Sequence, residues 1–203
     1  MKSFKKKNQP KEKKMVEPYY EMLWKKDIPV AKLNSKDNSF DANNNKSEDN
    51  AWIGSGTGTV EIKVICGRIN NLISPTSNWI VPFSYYHCKI DPKTSLLLKH
   101  PHSHTAFFYV INGKAHVEES IVNKESFALF SSSSNENQQF VEIENRESEV
   151  LDLLFLEGNP IKDKIVHRGP FVMNSQQEIV QAHIDFSNGE FGELDHPFTI
   201  MDA

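Results

Sequence analysis

Hydrophobic and polar residues alternate through much of the second half of the chain. From residue 60 to residue 66, apolar side chains occupy every second position, which is the period of a half-buried β-strand. Further strand-like segments rich in β-branched and aromatic residues follow, separated by turn signals such as Asn112-Gly113. They span residues 80–90, 95–99, 106–111, 114–118, 126–130, 139–144 and 150–156. Short strands with no helical segments between them predict an all-β, antiparallel barrel or sandwich.

One amphipathic helix is predicted near the C-terminus. Ser175 precedes Glu178 by three positions, which is the spacing of a capping box. Apolar residues between positions 179 and 186 recur at the helical period. Gly189 supplies the stop, because glycine accepts the left-handed conformation that follows many helices.

The first 58 residues have a different character from the rest. We divide the chain into a basic disordered arm (1–14), a short linker segment (15–33), a low-complexity disordered insertion (34–58) and one folded domain (59–203). Residues 34–50 contain six Asn, and only Phe40 and Ala42 among them are apolar. Such a segment buries too little apolar surface to offset the entropy lost on ordering.

Composition and charge exclude several classes of protein. The hydrophobic fraction of the 203 residues is 38% and the net charge is −4. Residues 1–14 carry seven Lys and one Glu, so the remaining 189 residues hold 16 basic and 26 acidic side chains. A body this acidic is a poor binder of phosphate backbones, so we expect no direct nucleic-acid binding. The lysine arm suits a nuclear-import signal or an electrostatic tether, and a solvated terminus is the alternative.

Cysteine content and hydropathy set the expected compartment. The two cysteines, Cys66 and Cys88, are too few for a disulfide-rich secreted scaffold or a cysteine-rich zinc fold. No apolar segment approaches the roughly 18 residues that cross a bilayer, and none opens the chain as a signal peptide would. We therefore expect a cytoplasmic or nuclear protein that does not bind membranes.

Three histidines are the main candidates for chemistry. His100, His102 and His104 alternate, and alternate residues of a strand face the same side. Neutral imidazoles that converge in this way suit Fe, Zn, Cu or Ni. However, Pro101 interrupts a regular ladder. The alternative is that these histidines are polar residues of a loop or strand end.

Two other histidines are weaker candidates for a functional site. His116 lies in the next strand, where it is placed to join the cluster. His87 precedes Cys88, but neighbours on a strand face opposite sides, so we expect a structural histidine beside a buried thiol, with activation of the thiol by the imidazole as the alternative.

Several segments resemble the pirin family of cupins. Residues 168–174, which read Arg-Gly-Pro-Phe-Val-Met-Asn, are similar to the C-terminal part of pirins, as are Gln181-Ala182 and residues 189–192. Residues 104–113 resemble a pirin hairpin, residues 156–161 resemble the start of its final element, and residues 15–20 with 27–29 resemble its inter-module segment. The resemblance extends over residues 8–33 and 59–192. It implies a jelly-roll-like cupin barrel of the pirin C-terminal type.

The resemblance also implies what the barrel lacks. Pirins have two cupin modules, and the N-terminal module holds the iron with three histidines and a glutamate. This chain resembles the C-terminal module and the linker, so the resemblance implies a barrel without catalytic or cofactor-binding residues. It implies a non-catalytic binding or regulatory module, with a role of the transcription-cofactor type, in the nucleus or cytoplasm.

The alternative function is enzymatic. It is a metal-dependent dioxygenase of the quercetin 2,3-dioxygenase type, in which His100, His102 and His104 hold Fe. In either case, the absence of a second module predicts a protein partner or self-association. The apolar group Tyr19, Tyr20, Leu23 and Trp24 is the expected contact surface.

Overall fold

A computed structural model describes residues 10–14, 23–37, 50–76, 81–101, 103–130 and 140–191. The chain forms two compact units. One is Leu23–Pro160, and the other combines Met1–Met22 with Ile161–Ala203. The predicted boundary at residue 59 therefore differs from the structure, which groups residues from Leu23 onward with the strands and ends that unit at Pro160.

The larger unit is built from two antiparallel sheets. The first sheet, in spatial order, contains β1 (Val30–Asn34), β3 (Thr59–Cys66), β6 (Phe83–Ile90), β13 (Leu151–Gly158), β8 (Thr105–Asn112) and β11 (Phe127–Phe130). The second contains β10 (Ser120–Asn123), β9 (Lys114–Val117), β12 (Phe140–Asn145), β7 (Thr94–Lys99) and β2 (Ala51–Ile53). A short 3₁₀ helix, η2 (Lys25–Asp27), precedes β1, and a small hairpin pairs β4 (Arg68–Ile69) with β5 (Leu72–Ile73). The predicted all-β, antiparallel class is confirmed.

The inner faces of the two sheets share one hydrophobic core. Val64, Phe108 and Phe155 from the first sheet and Leu96 and Ile143 from the second are fully buried in the same cluster. The alternation of apolar and polar residues produces this burial, because each strand directs every second side chain inward. Burial of each of these side chains contributes about 1.5–3 kcal/mol to the free energy of unfolding, relative to the same side chain in an exposed position.

Two segments expected outside the folded domain contribute strands to it. β1 lies in the predicted linker and pairs with β3 along its whole length. β2 lies in the predicted insertion, and its residues are buried against β7. The apolar triplet Ala51-Trp52-Ile53 explains the difference, because it provides enough buried surface to order a short strand. Residues 38–49, the centre of the predicted insertion, lie outside the described residues, as do residues 1–9 of the arm and 15–22 of the linker.

The smaller unit contains the predicted helix. It holds η1 (Lys11–Lys13), the hairpin of β14 (Val166–Arg168) and β15 (Phe171–Met173), and α1 (Gln176–Ser187). The capping box is present: the Ser175 hydroxyl accepts from the Glu178 N–H at 3.2 Å, and the Glu178 carboxylate accepts from the Ser175 N–H at 2.8 Å. Ile179 and Ala182 pack against Phe171 of the hairpin. None of the described helices is long and apolar enough to cross a membrane.

Candidate functional site

The last inward-facing residue of β13 is polar, whereas the earlier ones are apolar. Leu151, Leu153 and Phe155 are fully buried, and Glu157 is the next side chain on the same face. Glu157 pairs with Ser84 on β6 and with Ala106 on β8. Because both neighbours are small, the chain leaves space around the carboxylate at this end of the unit.

A cavity of about 380 Å³ occupies that space. Its lining residues come from β6, β7, β13 and the adjoining loops, and they are Asn50, Ser84, Tyr86, Leu98, Lys99, Pro101, Ser103, Phe155 and Glu157. Tyr86 and Phe155 form one apolar wall, with stacked rings whose centroids are 6.0 Å apart. The cavity therefore combines an aromatic wall with a small number of hydrogen-bonding groups, a combination typical of sites for organic molecules.

Glu157 holds two of the three predicted histidines. One carboxylate oxygen lies 2.8 Å from Nδ1 of His104, and the other lies 3.3 Å from Nδ1 of His100. The side chains of Glu157 and His100 are each 9% exposed, and that of His104 is 25% exposed. An ionised carboxylate is acceptor-only, so each imidazole donates its Nδ1–H, which leaves Nε2 as the second polar atom of each ring.

The two histidines lie at the ends of strands that are consecutive in sequence but belong to different sheets. His100 directly follows β7, and His104 directly precedes β8. A turn joins them, in which the His104 N–H donates to the carbonyl of Pro101 at 3.0 Å. Pro101 thus lies in a turn, and the histidines do not share one face of a continuous strand. The two imidazoles instead meet at the Glu157 carboxylate. His102, the third predicted ligand, lies outside the described residues.

Tyr86 is fixed beside this cluster. Its hydroxyl donates to the carbonyl of Arg68 at 2.7 Å. Burial raises the pKa of Tyr86 far above its ordinary value, and the nearby charge of Glu157 raises it further against the opposing effect of Ser84. The phenol is therefore neutral throughout the physiological pH range, and its proton is already committed to the backbone.

A pair of asparagines fixes the wall of the cavity. Asn70 Oδ1 accepts from the N–H groups of Asn50 and Ala51 at 2.9 and 3.0 Å, and the Asn70 N–H donates back to Asn50 Oδ1 at 2.6 Å. Asn50 Nδ2 also donates to the carbonyl of Arg68, the same group that Tyr86 contacts. The β4–β5 hairpin is therefore tied to β2 by side-chain amides and to β6 by the Tyr86 hydroxyl.

The other candidate histidines lie in separate pairs. His116 on β9 contacts Glu147 at 3.1 Å and does not join His100 and His104. His87 on β6 contacts Asp152 of β13 at 2.6 Å, with Lys89 3.9 Å from the same carboxylate. Cys88 faces the opposite side of β6 and is fully buried. Burial raises the pKa of its thiol strongly, so Cys88 has no reactive thiolate.

The polar cluster has the donor types of a metal centre but not its arrangement. Two imidazoles and one carboxylate match the ligand set of non-haem iron sites. In this chain, however, both carboxylate oxygens are within hydrogen-bonding distance of the imidazoles themselves. Across the described ranges, which omit His102, no group of three or more His, Cys, Asp or Glu is placed to hold a metal ion.

Sequence reasoning missed Glu157 as a site residue. No carboxylate partner was predicted for His100, His102 and His104. The available signal was the alternation of Leu151, Leu153 and Phe155, which places Glu157 on the inner face of its strand. The predicted apolar contact group is only partly described: Leu23 is half-buried and Trp24 is exposed, whereas Tyr19 and Tyr20 lie outside the described residues.

Comparison with known proteins identifies relatives of this chain. Residues 85–192 match the model of the pirin C-terminal cupin domain. The chain is 27% identical to human pirin over 179 residues, covering 88% of this chain and 53% of the human protein. It is 30% identical to pirin-1 of Arabidopsis thaliana over 190 residues, covering 91% of this chain and 56% of the plant protein. The chain thus spans about half the length of these relatives.

A solved structure has the same fold. The chain superposes on quercetin 2,3-dioxygenase from Acinetobacter baumannii with a TM-score of 0.67 and 24% identity. The match covers 92% of this chain and 55% of the dioxygenase. At this identity, the likeness concerns the fold.

Proposed function

Because the chain belongs to the pirin family, through its C-terminal cupin domain, we propose that it is a non-catalytic module that binds a small organic molecule. The observation that carries this proposal is the position of Glu157. Its carboxylate borders the cavity and is at the same time held by His100 and His104. A fixed carboxylate beside an aromatic wall orients a ligand.

The remaining groups around the cavity support binding over catalysis. The proton of the Tyr86 hydroxyl is committed to Arg68, and the Asn50 amide is committed to Asn70 and Arg68. These groups shape the cavity and do not act as free acids or bases. The other polar side chains of the lining are those of Glu157, Lys99, Ser103 and Ser84, of which Ser84 also hydrogen-bonds Tyr86.

A regulatory role is part of this proposal. A module of this kind transmits the presence of its ligand through a partner, and the lysine-rich residues 1–14 suit nuclear import. Import is tested separately by exchanging these lysines for glutamine in a fluorescent fusion. Loss of nuclear accumulation supports the role of the arm, and an unchanged distribution contradicts it.

The second candidate function is a dioxygenase of the quercetin 2,3-dioxygenase type. The donor composition of His100, His104 and Glu157 favours it, as does the name of the Acinetobacter baumannii relative in fold. The mutual hydrogen bonds within the cluster count against it, because ligation through the same atoms would have to break them.

A fragment-binding experiment tests the proposal. The full chain is mixed with fluorinated benzoates, phenols and benzylamines, and with quercetin, and binding is followed by ¹⁹F line broadening and calorimetry. We expect saturable binding of at least one class and no oxygen uptake with quercetin and added Fe²⁺. Ser84→Leu, which fills the cavity, should abolish binding, and Ser120→Leu on exposed β10 should not. Binding that survives Ser84→Leu, or metal-dependent oxygen uptake, would contradict the proposal.

A further inference from the structure

β11 forms an apolar edge of the first sheet. In the described part of the chain it pairs with β8 and with no strand on its other side. Its four residues, Phe127–Phe130, include no charged side chain. Phe127 and Leu129 are 68% and 60% exposed, while Ala128 and Phe130 pack against the core. Natural sheet edges are normally guarded by charge, proline or a covering segment, so an uncharged apolar edge indicates a pairing surface.

The backbone of β11 offers hydrogen-bonding groups to a further strand. The carbonyl of Ser126 accepts from the N–H of Val110 on β8 at 2.9 Å. Because backbone groups alternate along a strand, Ala128 and Phe130 also direct theirs toward β8. The N–H and C=O groups of Phe127 and Leu129 therefore point away from the sheet. These are the same two residues whose side chains are exposed.

We propose that two copies of this chain associate by antiparallel pairing of β11, about a twofold axis that passes beside Ala128. In this register, Phe127 of one copy lies opposite Leu129 of the other, and the converse pair is equivalent. All four outward-pointing backbone groups of each copy then find partners. A twofold interface brings each patch against itself, so a charge-free strand with two apolar residues at alternate positions is self-complementary.

Two other sheet edges fit this role less well. β10, at one edge of the second sheet, presents a single exposed apolar side chain, Ile121, where β11 presents two. β1, at the opposite edge of the first sheet, carries exposed Lys32 at its centre. A twofold axis through β1 would bring Lys32 of the two copies together, and like charges repel.

The size of the patch sets the expected strength of the association. Tyr109 and Ile111 on β8 extend the patch and are 36% and 37% exposed. These four side chains supply less than the roughly 800 Å² per partner that a standard interface buries. We therefore expect a weak, concentration-dependent dimer.

Sedimentation velocity on the full chain tests the association. Between about 5 and 500 μM, the weight-average mass should rise toward twice that of one chain, as a weak interface requires. Leu129→Lys should remove this rise, and the uncharged Leu129→Thr should weaken it. Ile121→Lys is the matched control, because it places the same charge on an equally exposed edge position. A mass that stays at one chain, or association that survives Leu129→Lys, overturns the proposal.

Cysteine cross-linking tests the register. A mixture of Phe127→Cys and Leu129→Cys chains should form a disulfide dimer under mild oxidation, because these positions face each other across the axis. Each variant alone should form much less, since neither residue faces itself. Equal cross-linking in the mixture and in the separate samples would exclude this register.

Discussion

The Oε1 atom of Glu157 lies 2.8 Å from Nδ1 of His104, although 53 residues separate them in the sequence. The same carboxylate reaches Nδ1 of His100 through its other oxygen at 3.3 Å. One buried carboxylate therefore connects the end of β7, the start of β8 and the end of β13. This connection fixes the turn between β7 and β8, which contains Pro101 and Ser103, two residues that line the cavity.

Replacing this carboxylate should destabilise the larger unit. Glu157→Gln keeps the shape of the side chain, but one end of an amide is a donor and so cannot accept from an imidazole N–H. One buried Nδ1–H loses its acceptor, which we expect to cost about 1–3 kcal/mol in the free energy of unfolding. Urea denaturation measures it. Glu147→Gln is the control, because the Glu147 side chain is 40% exposed and contacts one imidazole, that of His116, instead of two. Equal effects of the two substitutions would show that the bridge of Glu157 contributes no more than this single, more exposed contact.

The amide of Asn70 should hold the cavity wall. Asn70→Ala removes an acceptor shared by the Asn50 and Ala51 N–H groups, and alanine tolerates the left-handed backbone at this position (φ 50°) poorly. We expect Asn70→Ala to lower the free energy of unfolding by about 1–3 kcal/mol. Asn70→Asp keeps this acceptor and loses the Nδ2–H that donates to the Ala51 carbonyl at 3.1 Å, so it should recover only part of the lost stability. Thermal unfolding compares both with Asn123→Ala at the exposed end of β10. An Asn70→Ala melting curve like that of Asn123→Ala would contradict the role of the amide.

The capping box should make the stability of the smaller unit depend on acidic pH. Hydrogen bonds from the backbone N–H groups of Asn174 and Ser175 lower the pKa of Glu178. A lowered pKa means that the bound carboxylate stabilises the fold above the unfolded value of about 4.3. That stabilisation is lost as the pH falls through the folded pKa. Amide exchange of α1 should accelerate over this interval.

A substitution at the cap separates this effect from general acid unfolding. In Glu178→Gln, the acid-dependent change in α1 exchange should largely disappear. Ser175→Ala removes the other half of the box and should cost about 1 kcal/mol at any pH. An unaltered pH profile in Glu178→Gln would assign the acid dependence to other groups.

Both cysteines should be inert in the folded protein. Cys66 and Cys88 are buried, and burial raises the pKa of the Cys88 thiol. A thiol reagent such as DTNB reacts with thiolates, so native protein should react with neither cysteine and denatured protein with both. Fast reaction of Cys88 in native protein would contradict the buried position.

The sequence pattern predicts the strands better than their contacts. Alternation identifies the long strands because each buries every second residue, and Ser175 with Glu178 marks the helix start because capping is local. β2 was not predicted, because three apolar residues between an Asn-rich segment and glycines are too few to show a period. The junction of Glu157 with His100 and His104 was missed for another reason. It depends on β8 pairing with β13 and on the end of β7, in the second sheet, lying close to both, and these are long-range properties.

The metal content of the protein tests the central claim most directly. The full chain, prepared without a polyhistidine tag, is incubated anaerobically with Fe²⁺, desalted and assayed for Fe, Zn, Cu and Ni by mass spectrometry. If the chain is a non-catalytic binding module in which His100 and His104 hold Glu157, we expect less than about a tenth of an equivalent of any metal per chain. We expect the same metal content in Glu157→Gln. About one equivalent of Fe in the wild type, lost in Glu157→Gln and in His104→Ala, would contradict this account and favour the dioxygenase.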